Sequence, residues 1–165
     1  NICYNSTEPN IGPKMNEDRT TLKCYMNDTG LLISHSFDEK TIVSSEIYQK
    51  LLFGKLEVNE GMLMENVVAQ MLTAGGNKLF FYSKSSEKAE NRMEIDFLLQ
   101  KDKVTTRHNI RPIEVKSGKN YTLSSITKCM KKFGEYVSSP TVLHAADYKV
   151  EDGVTYLPLY MTPLL

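Results

Sequence analysis

Hydrophobic positions recur at helical spacing in the middle of the chain. From residue 60 to residue 73, apolar side chains fall three or four residues apart, which predicts an amphipathic helix. The glycines at 75 and 76 are typical of a helix end. The simplest account of the apolar stripe is core packing, and its members are Met64, Val67, Val68, Met71 and Leu72.

Short apolar runs separated by polar turns follow this helix. They predict strands at 79–82, 93–100 and 110–116, then a helix at 123–137 and strands at 141–145 and 154–157. Helix, three strands, helix and further strands indicate an α/β fold with a mixed central sheet flanked by helices.

The earlier part of the chain is less regular. Residues 22–26 predict a short strand, and Asp28 is positioned to cap a helix that begins at Leu31. Ser44 or Ser45 can cap a further helix that runs to Leu52. Residues 1–20 are polar and rich in Asn, Glu, Pro and Gly, so we predict an irregular lead-in at 1–21 and a single domain at 22–165.

Composition narrows the classes of function. Lys plus Arg equals Asp plus Glu at 20 each, so any binding of nucleic acid must come from a local basic patch. The three cysteines are widely spaced and form no CxxC pair, which predicts neither a zinc site nor disulfides and favours the cytoplasm. No apolar run is long enough to span a membrane, and the start at Asn1 leads us to expect a fragment of a longer protein.

Charged residues occur inside two of the predicted strands. Strand alternation would place Asp96 on the face opposite Ile95 and Phe97, and would place Glu114 and Lys116 together on one face of the next strand. If the strands are neighbours, these three charged side chains can converge. Glu114 and Lys116 would then have Cα atoms roughly 7 Å apart.

Two carboxylates and a lysine in this arrangement suit a hard divalent cation such as Mg²⁺. Such a cation lowers the pKa of a bound water and offsets charge on a phosphate, and a nearby lysine stabilises the transition state, which is the chemistry of phosphodiester hydrolysis. The alternative interpretation is a half-exposed sheet on which Glu114 and Lys116 form an ordinary surface ion pair. Shared placement in one pocket separates the two interpretations.

Two motifs carry a family resemblance. The segments EIDFLL at 94–99 and PIEVKSG at 112–118 resemble the acid strand and the E-x-K strand of the PD-(D/E)XK nuclease superfamily, although Ile95 stands where the superfamily name places proline. The chain also resembles the domain of unknown function that lies C-terminal to the ATPase module in bacterial and archaeal AAA-type ATP-binding proteins. Further matching segments lie, in the same order, at 23–32, 61–70 and 79–83.

The resemblance implies a restriction-endonuclease-like core and a site with assigned roles. Asp96 and Glu114 would bind Mg²⁺ or Mn²⁺, Glu65 on the first core helix would complete the metal site, and Lys116 would act in catalysis with Asp96 and Glu114. An alternative for Glu65 is a boundary residue beside the apolar stripe. No G-x-x-x-x-G-K-[ST] phosphate loop occurs, so we expect no ATP site here, and the ATPase module would belong to the same full-length chain.

Lysines at helical spacing predict a surface for phosphates. Lys128, Lys131 and Lys132 share one face of the predicted helix at 123–137, and Lys119 precedes it. They can contact a DNA backbone without recognising bases, or they can form an ordinary solvated face. The resulting hypotheses are a metal-dependent nuclease domain that acts on DNA, a cleavage-inactive nuclease-fold module that binds DNA or protein and regulates an ATPase, and a protein-interaction module without nucleic acid.

Overall fold

The computed structural model describes residues 1–10, 12–36, 60–101, 107–118 and 120–165. Within these ranges the strands are β1 (Ile2–Ser6), β2 (Glu17–Cys24), β3 (Phe80–Lys84), β4 (Met93–Gln100), β5 (Ile110–Lys116), β6 (Thr141–His144), β7 (Lys149–Glu151) and β8 (Val154–Pro158). The helices are α1 (Thr29–Ser36), α2 (Glu60–Ala74) and α3 (Ser124–Phe133), and short 3-10 helices occupy Pro13–Asn16 and Leu159–Leu164.

The strands form one sheet in the order β2-β1-β3-β4-β5-β6-β8-β7. Strands β3, β4 and β5 are antiparallel neighbours, whereas β5, β6 and β8 run parallel to one another. The segment from α2 to β6 therefore reads helix, three antiparallel strands, helix and a parallel strand. The predicted mixed α/β fold is confirmed at this level.

Two layers of apolar side chains cover the two faces of the sheet. On the α2 face, Val68 and Leu72 of the helix pack with Phe97 and Ile113 of the sheet. On the α3 face, Ile126 and Cys129 of the helix join a separate cluster that contains Ile95, Leu98, Ile110 and Val142. Burial of both faces explains the strongly apolar strands.

The predicted helix start after Asp28 and the predicted helix end at Gly75 and Gly76 are confirmed. Asp28 Oδ1 accepts a hydrogen bond of 3.1 Å from the backbone N–H of Leu31, which caps α1. Helix α2 ends in a Schellman motif, in which Gly76 adopts a φ of 84° and its N–H donates to the carbonyl of Thr73 while the N–H of Asn77 donates to that of Leu72. The helix predicted to end at Leu52 lies outside the described residues.

The prediction of an irregular lead-in at 1–21 is wrong. Strand β1 lies inside the sheet, antiparallel to β2 and parallel to β3. The amide of Asn5 also accepts a hydrogen bond of 2.9 Å from the N–H of Ser83, which ties β1 to β3. Pairing between segments more than 70 residues apart overrode the polar composition of residues 1–20.

A β-bulge in β4 changes which residues share a face. Phe80 pairs with Leu98 and Tyr82 pairs with Ile95, so the three residues 80–82 of β3 lie opposite the four residues 95–98 of β4. Ile95 and Leu98 consequently face α3, while Phe97 faces α2. The predicted alternation, which placed Ile95 and Phe97 together, is wrong because the extra residue reverses the phase.

The same position marks a fork in the sheet. The ladder between β4 and β5 runs from Gln100↔Ile110 to Phe97↔Ile113 and then ends. Beyond that pair, β4 remains paired to β3 and β5 remains paired to β6. The two strands therefore diverge where Asp96 and Glu114 stand, and we call this position the strand fork. Among the helices that the structure describes, none is long and apolar enough to cross a membrane.

Candidate functional site at the strand fork

Asp96 takes the place of the missing ladder partner at the fork. Its Oδ2 accepts a hydrogen bond of 2.8 Å from the backbone N–H of Val115. Burial, reinforced by the nearby charge of Glu65, raises the pKa of this carboxyl to about 7, although the Val115 N–H and the charge of Lys23 act in the opposite direction. Asp96 is therefore a carboxyl that exchanges its proton near neutral pH.

Glu65 of α2 approaches Asp96 from the α2 face. The hydroxyl of Tyr25 donates to Glu65 Oε2 at 3.0 Å, and Lys23 Nζ lies 3.5 Å from the same oxygen. Lys23 Nζ also contacts Glu94 Oε1 at 2.7 Å. Burial lowers the pKa of Lys23, but the bond to Glu94 and the charge of Glu65 more than offset this effect, so the lysine remains charged. One ammonium thus serves several carboxylates.

Glu114 and Lys116 form a second group on the α3 face. Glu114 pairs in register with Val142, whose side chain belongs to the α3 cluster, and only 2% of Glu114 is exposed. Lys116 Nζ lies 2.8 Å from Glu114 Oε2, yet neither carboxylate oxygen has a well-directed hydrogen bond among the described residues. This buried carboxylate therefore depends on one ammonium contact, which is an energetically costly arrangement.

The structure brings the predicted site residues to one fork but not to one pocket. Asp96 and Glu65 lie together on the α2 face, and Glu114 with Lys116 lies across the sheet from them. Glu114 still contributes to the raised pKa of Asp96, though least among its causes. Within the described residues, no set of three His, Cys, Asp or Glu side chains is placed to hold a metal ion.

The side chains at this fork therefore have the ligand chemistry that Mg²⁺ requires, but only two of the three acids lie on the same face of the sheet. The three acids offer the hard oxygen ligands that Mg²⁺ prefers, and Asp96 with Glu65 provides a pair on one face. Glu114 has free lone pairs but is held by Lys116 on the other face.

The lysines predicted to bind nucleic acid differ in their contacts. Lys128 donates to the backbone carbonyls of Ala89 at 2.8 Å and Arg92 at 3.1 Å, so its ammonium has a structural role. Lys132 donates to the Tyr82 hydroxyl at 3.2 Å, whereas Lys131 is exposed. Lys119 lies outside the described residues. A cavity of about 420 Å³ nevertheless opens beside these lysines. Lys84 lines it together with Lys128, Lys131 and Lys132.

Lys23 and Tyr25 were not predicted as members of the site. They stand two residues apart, Lys23 in β2 and Tyr25 just after its end, and both contact Glu65. A lysine among apolar strand residues was the available signal. Its acidic partners come from α2 and β4, more than 40 residues away, and the local sequence carries no information about such contacts.

Comparison with known proteins identifies the family. The profile of a family described as "Domain of unknown function (DUF4143)" matches residues 60–161, which is more than half of the chain. Domains of this family are typically found with AAA ATPases. No curated protein and no solved structure matches the chain. The match spans α2, the strand fork and strands β6 to β8, and the chain belongs to the DUF4143 family.

Proposed function

We propose that this domain is a PD-(D/E)XK-type, metal-dependent nuclease-like domain that acts on DNA and forms the C-terminal part of a cytoplasmic AAA-type ATPase. The observation that carries the proposal is the fork itself. The β4–β5 ladder stops at Phe97↔Ile113, and Asp96, with a pKa of about 7, occupies the gap. A carboxyl kept in so unfavourable a place is typical of a functional site rather than of a stabilising one.

The residues at the fork have distinct roles in this proposal. Asp96 and Glu65 would hold Mg²⁺ or Mn²⁺. Glu114 would join them where β4 and β5 diverge, once it is released from Lys116 and turned away from the α3 face. The bound cation would supply an activated water and offset charge on a phosphate. Lys116, once free of Glu114, would stabilise negative charge on the phosphate, and Lys131 would contact the DNA backbone.

A plasmid-nicking assay tests the proposal. We expect relaxation of supercoiled DNA in Mg²⁺ or Mn²⁺, and a loss of at least 100-fold in Asp96→Asn and Lys116→Ala. The control is Glu135→Gln, which changes an exposed carboxyl away from the fork and should nick at the parent rate. Equal nicking by all four proteins would reveal a contaminant and would contradict the proposal. Mn²⁺ binding followed by electron paramagnetic resonance provides a readout that is independent of activity.

The second candidate function is a cleavage-inactive module that binds DNA or protein and regulates the ATPase. The placement of Glu114 and Lys116 across the sheet from Asp96 and Glu65 favours this alternative. It predicts DNA binding that weakens steeply with salt, without nicking and without an effect of Asp96→Asn. Lys131→Ala should weaken such binding, whereas Glu135→Gln should not.

A further inference from the structure

A second cavity lies at the opposite end of β4 and β5 from the fork. It encloses about 270 Å³ between the end of α2, the two strands and the C-terminal 3-10 helix. Its lining combines apolar and polar groups with two cations; the members that matter here are Leu72, Gly75, Lys101, Arg111 and Thr162. The cavity therefore concentrates positive charge in a partly buried place.

Arg111 is the central group of this cavity. It is half-buried, and its Nε is buried without a hydrogen-bond partner. Lys101 is its cationic neighbour, and burial together with the charge of Arg111 lowers the pKa of this lysine. Lys101 Nζ donates to Ser139 Oγ at 3.1 Å, which is a neutral partner. In the ranges that the structure describes, neither cation forms an ion pair with an acid.

The end of α2 is a weak substitute for an anion. A helix C-terminus carries partial negative charge on its last carbonyl groups. The carbonyls of Met71, Leu72 and Thr73 already accept hydrogen bonds from the N–H groups of Gly75, Asn77 and Gly76. The half-buried cations therefore lack the paired, hydrogen-bonded partner that buried charges ordinarily have.

We propose that this cavity binds a phosphate group through Arg111 and Lys101. A guanidinium presents parallel N–H groups that match two oxygens of a phosphate, and Lys101 adds a second positive charge just after the end of β4. Leu99 and Arg111 are paired across β4 and β5, and Lys101 follows two residues later, so a regular ladder fixes the spacing of the two cations. The phosphate belongs either to a free ion or to the phosphorylated end of a nucleic acid.

The phosphate cavity is independent of the metal proposal. Arg111 stands five residues before Lys116 on β5, which separates their Cα atoms by roughly 16 Å. No residue of the fork lines the cavity. Failure of nicking at the fork would consequently leave phosphate binding unaffected, and failure of phosphate binding would leave nicking unaffected.

Titration with inorganic phosphate, in sulfate-free buffer, tests the proposal. The readouts are calorimetry and the ¹⁵N resonance of the Arg111 Nε–H, which should shift as phosphate binds. We expect Arg111→Met to weaken binding at least tenfold and Lys101→Met to weaken it about threefold. Arg92→Met removes one positive charge from an exposed arginine and serves as the matched control, with binding unchanged.

Two oligonucleotides identify the source of the phosphate. Preferential binding of the 5′-phosphorylated strand over the unphosphorylated strand, lost in Arg111→Met, would assign the cavity to nucleic-acid ends. Equal binding of both strands, with retained binding of inorganic phosphate, would assign it to a small phosphate ligand. If Arg111→Met does not fold, Lys101→Met and the Nε–H resonance still decide the question. The proposal would be overturned if Lys101→Met bound phosphate as tightly as the parent and if phosphate did not shift the Arg111 Nε–H resonance.

Discussion

Substitution of Asp96 by asparagine should stabilise the protein at alkaline pH. Asparagine keeps an oxygen that can accept the hydrogen bond from the Val115 N–H, and it removes the negative charge that burial and Glu65 disfavour. The native pKa of Asp96 is about 7, compared with an ordinary value of 3.8. Because one pKa unit corresponds to about 1.4 kcal/mol, the stabilisation is about 2–4 kcal/mol, with the lower figure for a carboxyl that keeps some access to water.

The pH dependence follows from linkage between protonation and folding. Below about pH 4, Asp96 is protonated in both the folded and the unfolded chain, so its ionisation does not lower the stability of the parent. Between about pH 4 and 7 the unfolded chain has released the proton that the folded chain retains, and the parent loses stability as the pH rises. Above about pH 7 the difference between parent and variant should be constant.

Urea unfolding at pH 4, 5.5, 7 and 8, in the presence of a chelator, measures this difference. Glu135→Gln, at an exposed carboxyl, should follow the parent at every pH. The reasoning would be refuted if the difference in free energy of unfolding between Asp96→Asn and the parent did not widen from pH 4 to pH 7. Mg²⁺ at pH 8 should stabilise the parent more than the variant, because a cation favours the ionised carboxyl.

Three further predictions concern groups around the fork. Asn66→Leu should cost about 3 kcal/mol in urea unfolding, because the buried amide accepts from the Met26 N–H and donates to its carbonyl; Thr73→Ala, exposed on the same helix, should cost under about 0.5 kcal/mol. Tyr25→Phe should cost about 1 kcal/mol through the lost bond to Glu65, and an unchanged midpoint would contradict the contact; Tyr148→Phe, at an exposed ring, is the control. Iodoacetamide at pH 8 should label only exposed Cys24 in the native protein, since burial raises the pKa of Cys3 and Cys129 to about 12; peptide mass spectrometry should find all three labelled in urea.

Local sequence patterns were sufficient to predict the elements whose apolar spacing and end signals lie within the element itself. The helix predicted at 60–73 is α2 (Glu60–Ala74), with the glycine stop in place. Val68 and Leu72 of the predicted stripe are fully buried, although Met64, Val67 and Met71 are only half-buried. Strands β4 and β5 also occupy their predicted positions, because apolar runs between polar turns are a local property.

The arrangement at the fork depended on contacts that no local pattern contains. Apart from Asp96 the sequence from Ile95 to Leu99 is apolar, so nothing in it marks the extra residue that turns Phe97 toward α2. The bulge is visible only in the pairing with β3. The prediction that Glu65, Asp96 and Glu114 bind metal, and that Lys116 acts in catalysis with the two strand acids, stays a prediction. Glu114 and Lys116 lie on the α3 face.

The inner position of β1 has a consequence for how this family is handled in the laboratory. The residues that match the family begin at α2, so a protein trimmed to that match would lack β1 and β2. Strand β3 would then become a bare sheet edge that carries Phe80 and Phe81, and unpaired apolar edges promote self-association. We therefore expect this chain to need β1 and β2 to cover the edge of β3, and precipitation of a shortened protein would say nothing about the fork.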